Sequence, residues 1–212
     1  MARILITSGP TRQYIDPVRY LSNASSGKMG SCLAQAALDH GHEVIVISGP
    51  VMVQYPEQAE VIDVISTDDL LSECRNVFRS CDGVIAAAAP CDYQPVNVAD
   101  HKLRKTGEKL TIELVETTDV MAALGVEKGP HQWSVGFALE TEDARFRALS
   151  KLQRKCCDLV VLNGATAINS DSNHIEIIDP SGEVVFSAEG PKSTIADSIL
   201  ETIQAKLIEN RD

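Results

Sequence analysis

Short β-branched runs alternate with stretches of helical periodicity along most of the chain, and this alternation restricts the fold more than any other feature. Arg3 to Thr7 is an apolar run, and after a polar stretch Met29 to His40 repeats apolar residues at helical spacing until Gly41 stops it. Val44 to Ile47 and Val61 to Ile65 read as two further strands, and Thr67-Asp68-Asp69 marks the start of a helix over 68–79. Val84 to Ala89 has the small side chains of a central strand covered on both faces. Beyond a loop at 90–95 and a charged segment at 101–109, Leu110 to Val115 alternates like a strand, Asp119 to Leu124 reads as a helix and Val135 to Ala138 as a core strand. An amphipathic helix over 143–155 and a strand at Leu159 to Leu162 follow. The runs His174 to Ile178 and Val184 to Ser187, joined by Asp179-Pro180-Ser181-Gly182, predict a hairpin before a last helix from about Ser193 to Ile208. The expected fold is α/β: a Rossmann-like, mostly parallel sheet with helices on both faces, plus a flap and a C-terminal hairpin, in a single domain over residues 1–212. In such sheets ligands bind at the carboxyl ends of the strands.

The net charge of −11 makes the overall field repel nucleic acid, so an anionic ligand must be held by a local group of cations and N–H groups. No apolar run approaches the ~20 residues of a membrane-spanning helix, and Met1 to Ile6 lacks the apolar stretch of a signal peptide. The chain is expected in the cytoplasm, without membrane or nucleic-acid partners. Its six cysteines form no C-x-x-C pair and read as small buried thiols. Cys91 is kept open because of the loop it occupies.

The first strand is followed by twenty residues, Ser8 to Gly27, where a βα loop usually takes ~2–6. This stretch brings Asn23, Ser25, Ser26 and Gly27-Lys28 to the start of a helix, where N–H groups and the dipole favour an anion. Neither a Walker A loop nor a G-x-G-x-x-G fingerprint is present, since position 22 is Ser and Met29 follows Lys28. From spacing alone, a phosphate site and a polar loop with an ordinary cap at Ser25 or Ser26 both stand.

Taken together, ILITSGPTR (4–12), DPVRYLSNASSGKMG (16–30), AAAAPCDYQP (86–95), HKLRK (101–105), VGFALET (135–141) and KLQRKCCDLVVLN (151–163) resemble the bacterial phosphopantothenoylcysteine synthetase domain, which is usually fused to a flavin-dependent decarboxylase. The resemblance covers nearly the whole chain in order, and SN-x-SSGKMG is its most specific block. It implies a ligase that joins 4′-phosphopantothenate to L-cysteine through an acyl nucleotide. CTP is the implied co-substrate, with ATP or UTP as alternatives, and Mg²⁺ the implied cofactor. A homodimer is implied too, with the decarboxylase, absent from this chain, as a possible separate partner. By the same resemblance Asn23 and Lys102 are catalytic, and Lys102 belongs to a basic flap in which five of the nine residues 101–109 are Lys, Arg or His. Ser25, Ser26, Gly27 and Lys28 cradle phosphate beside Gly9 and Pro10, while Ala88, Asp92, Phe137, Lys151 and Lys155 surround the nucleotide, with Asp92 the possible Mg²⁺ ligand. The chain departs from the family pattern at Gly164 and at Pro90-Cys91, both expected near the base or the cation. A short-chain oxidoreductase, the main competing reading, would need a Tyr-x-x-x-Lys pair that Tyr14, Tyr20, Tyr55 and Tyr93 do not form. A non-catalytic nucleotide-binding module is the third reading, and it needs no chemistry from Asn23 or Lys102.

Overall fold

The structure is a computed structural model that describes residues 1–139, 143–163 and 172–209. Its main sheet uses β1 (Arg3–Ser8), β4 (Glu43–Ser48), β5 (Glu60–Asp63), β6 (Gly83–Ala86), β9 (Trp133–Leu139), β10 (Leu159–Asn163), β11 (Ser172–Ile178) and β12 (Val184–Pro191). Their spatial order is β12-β11-β10-β9-β6-β1-β4-β5. Every pairing from β10 across to β5 is parallel, and β11 and β12 add an antiparallel hairpin at one edge.

The period-2 alternation within each strand separates two cores. Ile4 and Ile6 face the layer formed by α1 (Lys28–Asp39) and α5 (Lys192–Ile203), packing with Leu33, Ile195 and Ile199. Leu5, between them, faces α2 (Thr67–Phe78), α3 (Val120–Glu127) and α4 (Ala144–Arg154), with Leu70, Leu124 and Leu152. The expected α/β architecture is therefore present, because a parallel sheet must bury both faces. α2 starts where Thr67-Asp68-Asp69 indicated, through a capping box in which Asp69 N–H donates to Ser66 Oγ at 3.0 Å and Ser66 N–H donates to Asp69 Oδ2 at 2.9 Å.

Several local expectations are corrected. The stretch from Ser8 to Gly27 is not an open loop but holds an antiparallel hairpin, β2 (Arg12–Asp16) and β3 (Arg19–Ser22). Asp16 closes its turn by accepting from the N–H groups of Val18 and Arg19, an Asx arrangement that Asp-Pro favours. Part of the loop at 90–95 is a strand, β7 (Tyr93–Pro95), paired with β8 (Leu114–Glu116). The strand expected from Leu110 is thus confined to its last residues. The last helix changes to π-type hydrogen bonding over Gln204–Ile208, so its α-helical part ends at Ile203. Four of the cysteines are buried, but Cys32 is half-buried and Cys156 is exposed in a left-handed conformation at φ 51°. Among the described residues no helix is long and apolar enough to cross a membrane.

Candidate functional site

Two adjoining cavities open at the carboxyl ends of the central strands and share Ala88, Asp92 and Phe137. The first, ≈ 440 Å³, gathers Asn23, Ser25, Ser26, Gly27, Lys28 and Lys151 from the expected set, together with Asn163 and Lys192. The second, ≈ 310 Å³, is lined by Thr7, Cys91, Glu116, Asp119, Met121 and Lys155, among others.

The first cavity is built around two helix starts. α1 follows Gly27, which takes φ 76° and carries no side-chain cap. The nearest substitute for a cap is a 3.5 Å contact from Lys28 N–H to Ser26 Oγ, beyond ordinary hydrogen-bond length. The reading of Ser25 or Ser26 as an ordinary cap is therefore set aside. α5 likewise follows Pro191 without a side-chain cap. Both helices begin with lysine, Lys28 and Lys192, and neither has an acidic residue in its first turn. A cation at the positive end of a helix dipole is unfavourable by itself, and here two such starts border one cavity.

The turn at Gly27 rests on a rigid support. Tyr55 O–H donates to Ser8 Oγ at 2.8 Å, and Ser8 O–H donates to the Gly27 carbonyl at 3.3 Å. Ser48 joins the same chain at 2.7 Å from the Tyr55 oxygen. Gly30, in the first turn of α1, lies so close to Ser8 that a Cβ there would stand 2.1 Å from Ser8 Oγ. Gly9 and Pro10, expected at the cavity edge, line neither cavity. They lie in the layer beneath, where Gly9 O accepts from Ala89 N–H at 2.9 Å and Pro10 bridges to Ala89.

Asn23 Nδ2 donates to the carbonyls of Pro90 at 2.8 Å and Ala89 at 3.3 Å, joining the end of the β2–β3 hairpin to the loop after β6. Cys91, in that loop, is buried against the carbonyls of Thr11 and Leu21, and burial pushes its thiol above the usual range. Lys151 lines the first cavity and Lys155 the second. α4 ends at Arg154, Lys155 caps it, and Lys155 Nζ pairs with Asp119 Oδ1 at 3.1 Å on the neighbouring cavity. Asp119 also N-caps α3, accepting from Ala122 N–H.

Lys102, like Gly9 and Pro10, lines neither cavity. Its neighbour Leu103 is tied to the tip of the β2–β3 hairpin, with its N–H on Asp16 Oδ2 at 3.1 Å and its carbonyl accepting from Arg19 Nη2 at 2.9 Å. Asp16 is fully buried. Burial pushes its carboxyl up, but the N–H groups of Val18, Leu103 and Arg19 and the Arg19 guanidinium outweigh that and hold it below the usual carboxylate range. Gly164, the departure noted near the base, lies outside the described residues.

Lys192, Asn163, Tyr55 and Asp16 were not singled out from the sequence. A lysine directly after Pro191 at a helix start was the available signal for Lys192, since it contradicts the dipole preference. Asn163 and Tyr55 carry no local signal.

The chain is 41% identical over 207 residues to the coenzyme A biosynthesis bifunctional protein CoaBC of Bacillus subtilis, covering 95% of this chain and 51% of that protein. It is 40% identical over 206 residues to a cysteine/cysteine sulfinic acid decarboxylase from an unknown prokaryotic organism, covering 95% of this chain and 57% of that one. The crystal structure of the C-terminal domain of a coenzyme A biosynthesis bifunctional protein CoaBC superposes with a TM-score of 0.82 at 36% identity, covering 98% of this chain and 96% of that one. The chain therefore spans about half the length of the curated relatives it matches. The sequence pattern of the DNA/pantothenate metabolism flavoprotein C-terminal domain matches residues 1–207, and the chain belongs to that family.

Proposed function

We propose that residues 1–212 act as one phosphopantothenate–cysteine ligase domain of coenzyme A biosynthesis. The observation that carries this reading is the pair of uncapped helix starts, each led by a lysine, on one cavity at the carboxyl edge of the sheet. A free carboxylate has no useful leaving group, so joining it to an amine requires prior activation. In the first step the carboxylate of 4′-phosphopantothenate attacks the α-phosphate of CTP, forming an acyl cytidylate and releasing pyrophosphate. In the second the amine of L-cysteine displaces CMP, closing the amide. The family membership and the likeness to the coenzyme A biosynthesis bifunctional protein of Bacillus subtilis support this assignment. The product's cysteine carboxylate is then the group that a decarboxylase partner would remove.

The protein's part is to position anions and neutralise their charge. Ser25, Ser26 and the N–H groups after Gly27 receive phosphate oxygens, with Lys28, Lys151 and Lys192 as point charges. Phe137 and Ala88, on the wall shared by both cavities, flank the nucleoside, and Lys155 with Asp119 borders the far side. Mg²⁺ fits as an ion brought by the triphosphate, since the shared wall offers the Asp92 carboxylate and Mg²⁺ is commonly held by one or two carboxylates plus phosphates. Among the described residues no group of three His, Cys, Asp or Glu could hold a metal by itself. When bound, Mg²⁺ supplies positive charge to the phosphates.

The direct test mixes the protein with phosphopantothenate and each of CTP, ATP, UTP and NADPH. Pyrophosphate released with CTP, only when phosphopantothenate is present, is the expected result. No release with any triphosphate would refute ligation, and NADPH consumption would favour the oxidoreductase reading.

The working unit is a homodimer in this proposal. Exposed apolar side chains concentrate on and beside the two small sheets: Val18, Tyr20, Tyr93, Val98 (57% exposed), Leu110 (63% exposed) and Val115. These segments adjoin, for Ala99 N–H donates to the Ile15 carbonyl at 3.0 Å. Such a patch in one place is typical of an interface. Sedimentation is expected to give twice the 22.9 kDa of one chain, and a stable monomer at micromolar concentration would count against it.

A further inference from the structure

The hairpin β2–β3 leaves the sheet next to β1 and returns directly into Asn23, so its base is part of the cavity wall. Ser22 O–H secures that base on the Thr11 carbonyl at 2.9 Å. Its tip carries the buried Asp16, and three bonds fasten a distant stretch of chain there. Ala99 N–H reaches Ile15 O, Leu103 N–H reaches Asp16 Oδ2, and Arg19 Nη2 reaches Leu103 O. Arg19 Nη1 lies 3.3 Å from the same Asp16 oxygen, so both charges are engaged with each other as well as with Leu103. One residue away stands Lys102.

A buried carboxylate with no role in the cavity is costly unless every lone pair is used, and here one of the donors comes from a residue 87 positions away. The sequence of the turn needs only the two local N–H groups of Val18 and Arg19. The third bond makes the turn a socket for residues 99–103. We propose that Asp16, acting through the Leu103 N–H, is a positioning residue for Lys102: one hairpin sets the place of Asn23 at its base and of Lys102 at its tip, so that the two are held in a fixed relation. Asp16 touches no substrate in this arrangement. Residues 104–109, which lie beyond the socket, carry the rest of the basic segment.

This inference rests on the reading of Lys102 as a contact for substrate phosphate, and its test separates the two. Hydrogen exchange of peptides covering 99–103 is measured in the full chain, alongside pyrophosphate release, for Asp16→Asn, Lys102→Gln and the double variant. Asp16→Asn keeps the side-chain size and loses the charge, so exchange in 99–103 is expected to quicken by about tenfold or more, as for loss of a hydrogen bond to a charged group. Asp16→Asn and Lys102→Gln are each expected to slow pyrophosphate release by roughly tenfold, and the double variant to be no slower than Lys102→Gln, because residues acting through one another are not additive. Multiplied effects would overturn the positioning role. Unchanged exchange in Asp16→Asn would overturn the socket itself, whereas normal pyrophosphate release by Lys102→Gln would overturn the Lys102 reading and the positioning role with it. Because Asp16 also closes the hairpin turn, Leu103→Pro gives a second variant that removes the long-range N–H and leaves the local donors Val18 and Arg19 in place, while also fixing φ at 103 and restricting Lys102. It is expected to reproduce Asp16→Asn, and Leu103→Ala, which keeps the N–H, to match the unmodified protein; the reverse pattern would overturn the proposal.

Discussion

Asn23→Asp is expected to lower overall ligation by about a hundredfold or more, the scale of losing one donor at a site of developing negative charge. The structure adds a second cause to the electrostatic one. The Asn23 amide holds the carbonyls of Ala89 and Pro90, and a carboxylate in its place would set like partial charges 2.8 and 3.3 Å apart with no proton between them. The loop after β6, which carries Asp92 into both cavities, would lose one of its ties to the hairpin, those of Cys91 remaining. Both half-reactions are expected to suffer, the second more, because the cysteine amine attacks an acyl group that must be held next to Asn23. Pyrophosphate release and amide formation measured separately distinguish the steps. Ligation at the unmodified rate would remove Asn23 from the mechanism.

Gly30→Ala is the substitution with the largest expected structural effect at the site. Its Cβ would lie 2.1 Å from Ser8 Oγ and 2.5 Å from Ser8 Cβ, far inside contact distance. Ser8 is buried, and its hydroxyl is held between Tyr55 and the Gly27 carbonyl, so it cannot turn away without breaking both bonds. α1 would have to move away from β1. Overpacking of this kind costs roughly 1–3 kcal/mol, which for a chain of this size corresponds to a fall in Tm of roughly 2–12 °C. Displacing the first turn of α1 also withdraws N–H groups from the anion, and the KM for the nucleotide is expected to rise about tenfold, as for lost charge-assisted hydrogen bonds. A thermal melt and a nucleotide titration check the two parts. An unchanged melt and KM together would show that α1 is free to shift and that its start does not hold phosphate.

The strand and helix alternation was legible because apolar periodicity is a local property. Ile4, Leu5 and Ile6 alternate between two cores for the same reason that they read as a strand. Likewise Thr67-Asp68-Asp69 announced α2, since the signals of a helix start lie within a few residues; the cap itself is Ser66. Most of the cavity was legible too, but through the family resemblance of SN-x-SSGKMG and its companion blocks; spacing alone left Ser25 and Ser26 open between cap and phosphate turn. The hairpin inside Ser8 to Gly27 was missed because its strands are short, half-polar and set off the main sheet, so no apolar alternation marks them.

What the sequence alone determined is the set of local choices: where strands and helices lie, that the sheet is covered on both faces, and that the chain, at net −11, can hold an anion only through a local group of donors. Tertiary structure decided which candidate donors share a cavity. Parallel connections return each strand's carboxyl end to the same edge, so Lys192, more than 160 residues after Lys28, arrives at the same cavity, while Lys155 turns to Asp119 on the next one. Leu103, next to Lys102, is fastened to the hairpin tip by Asp16, 87 residues away, and by Arg19. Sequence patterns report on neighbours within a turn or a strand, and contacts closed over such distances leave no periodicity by which they can be read.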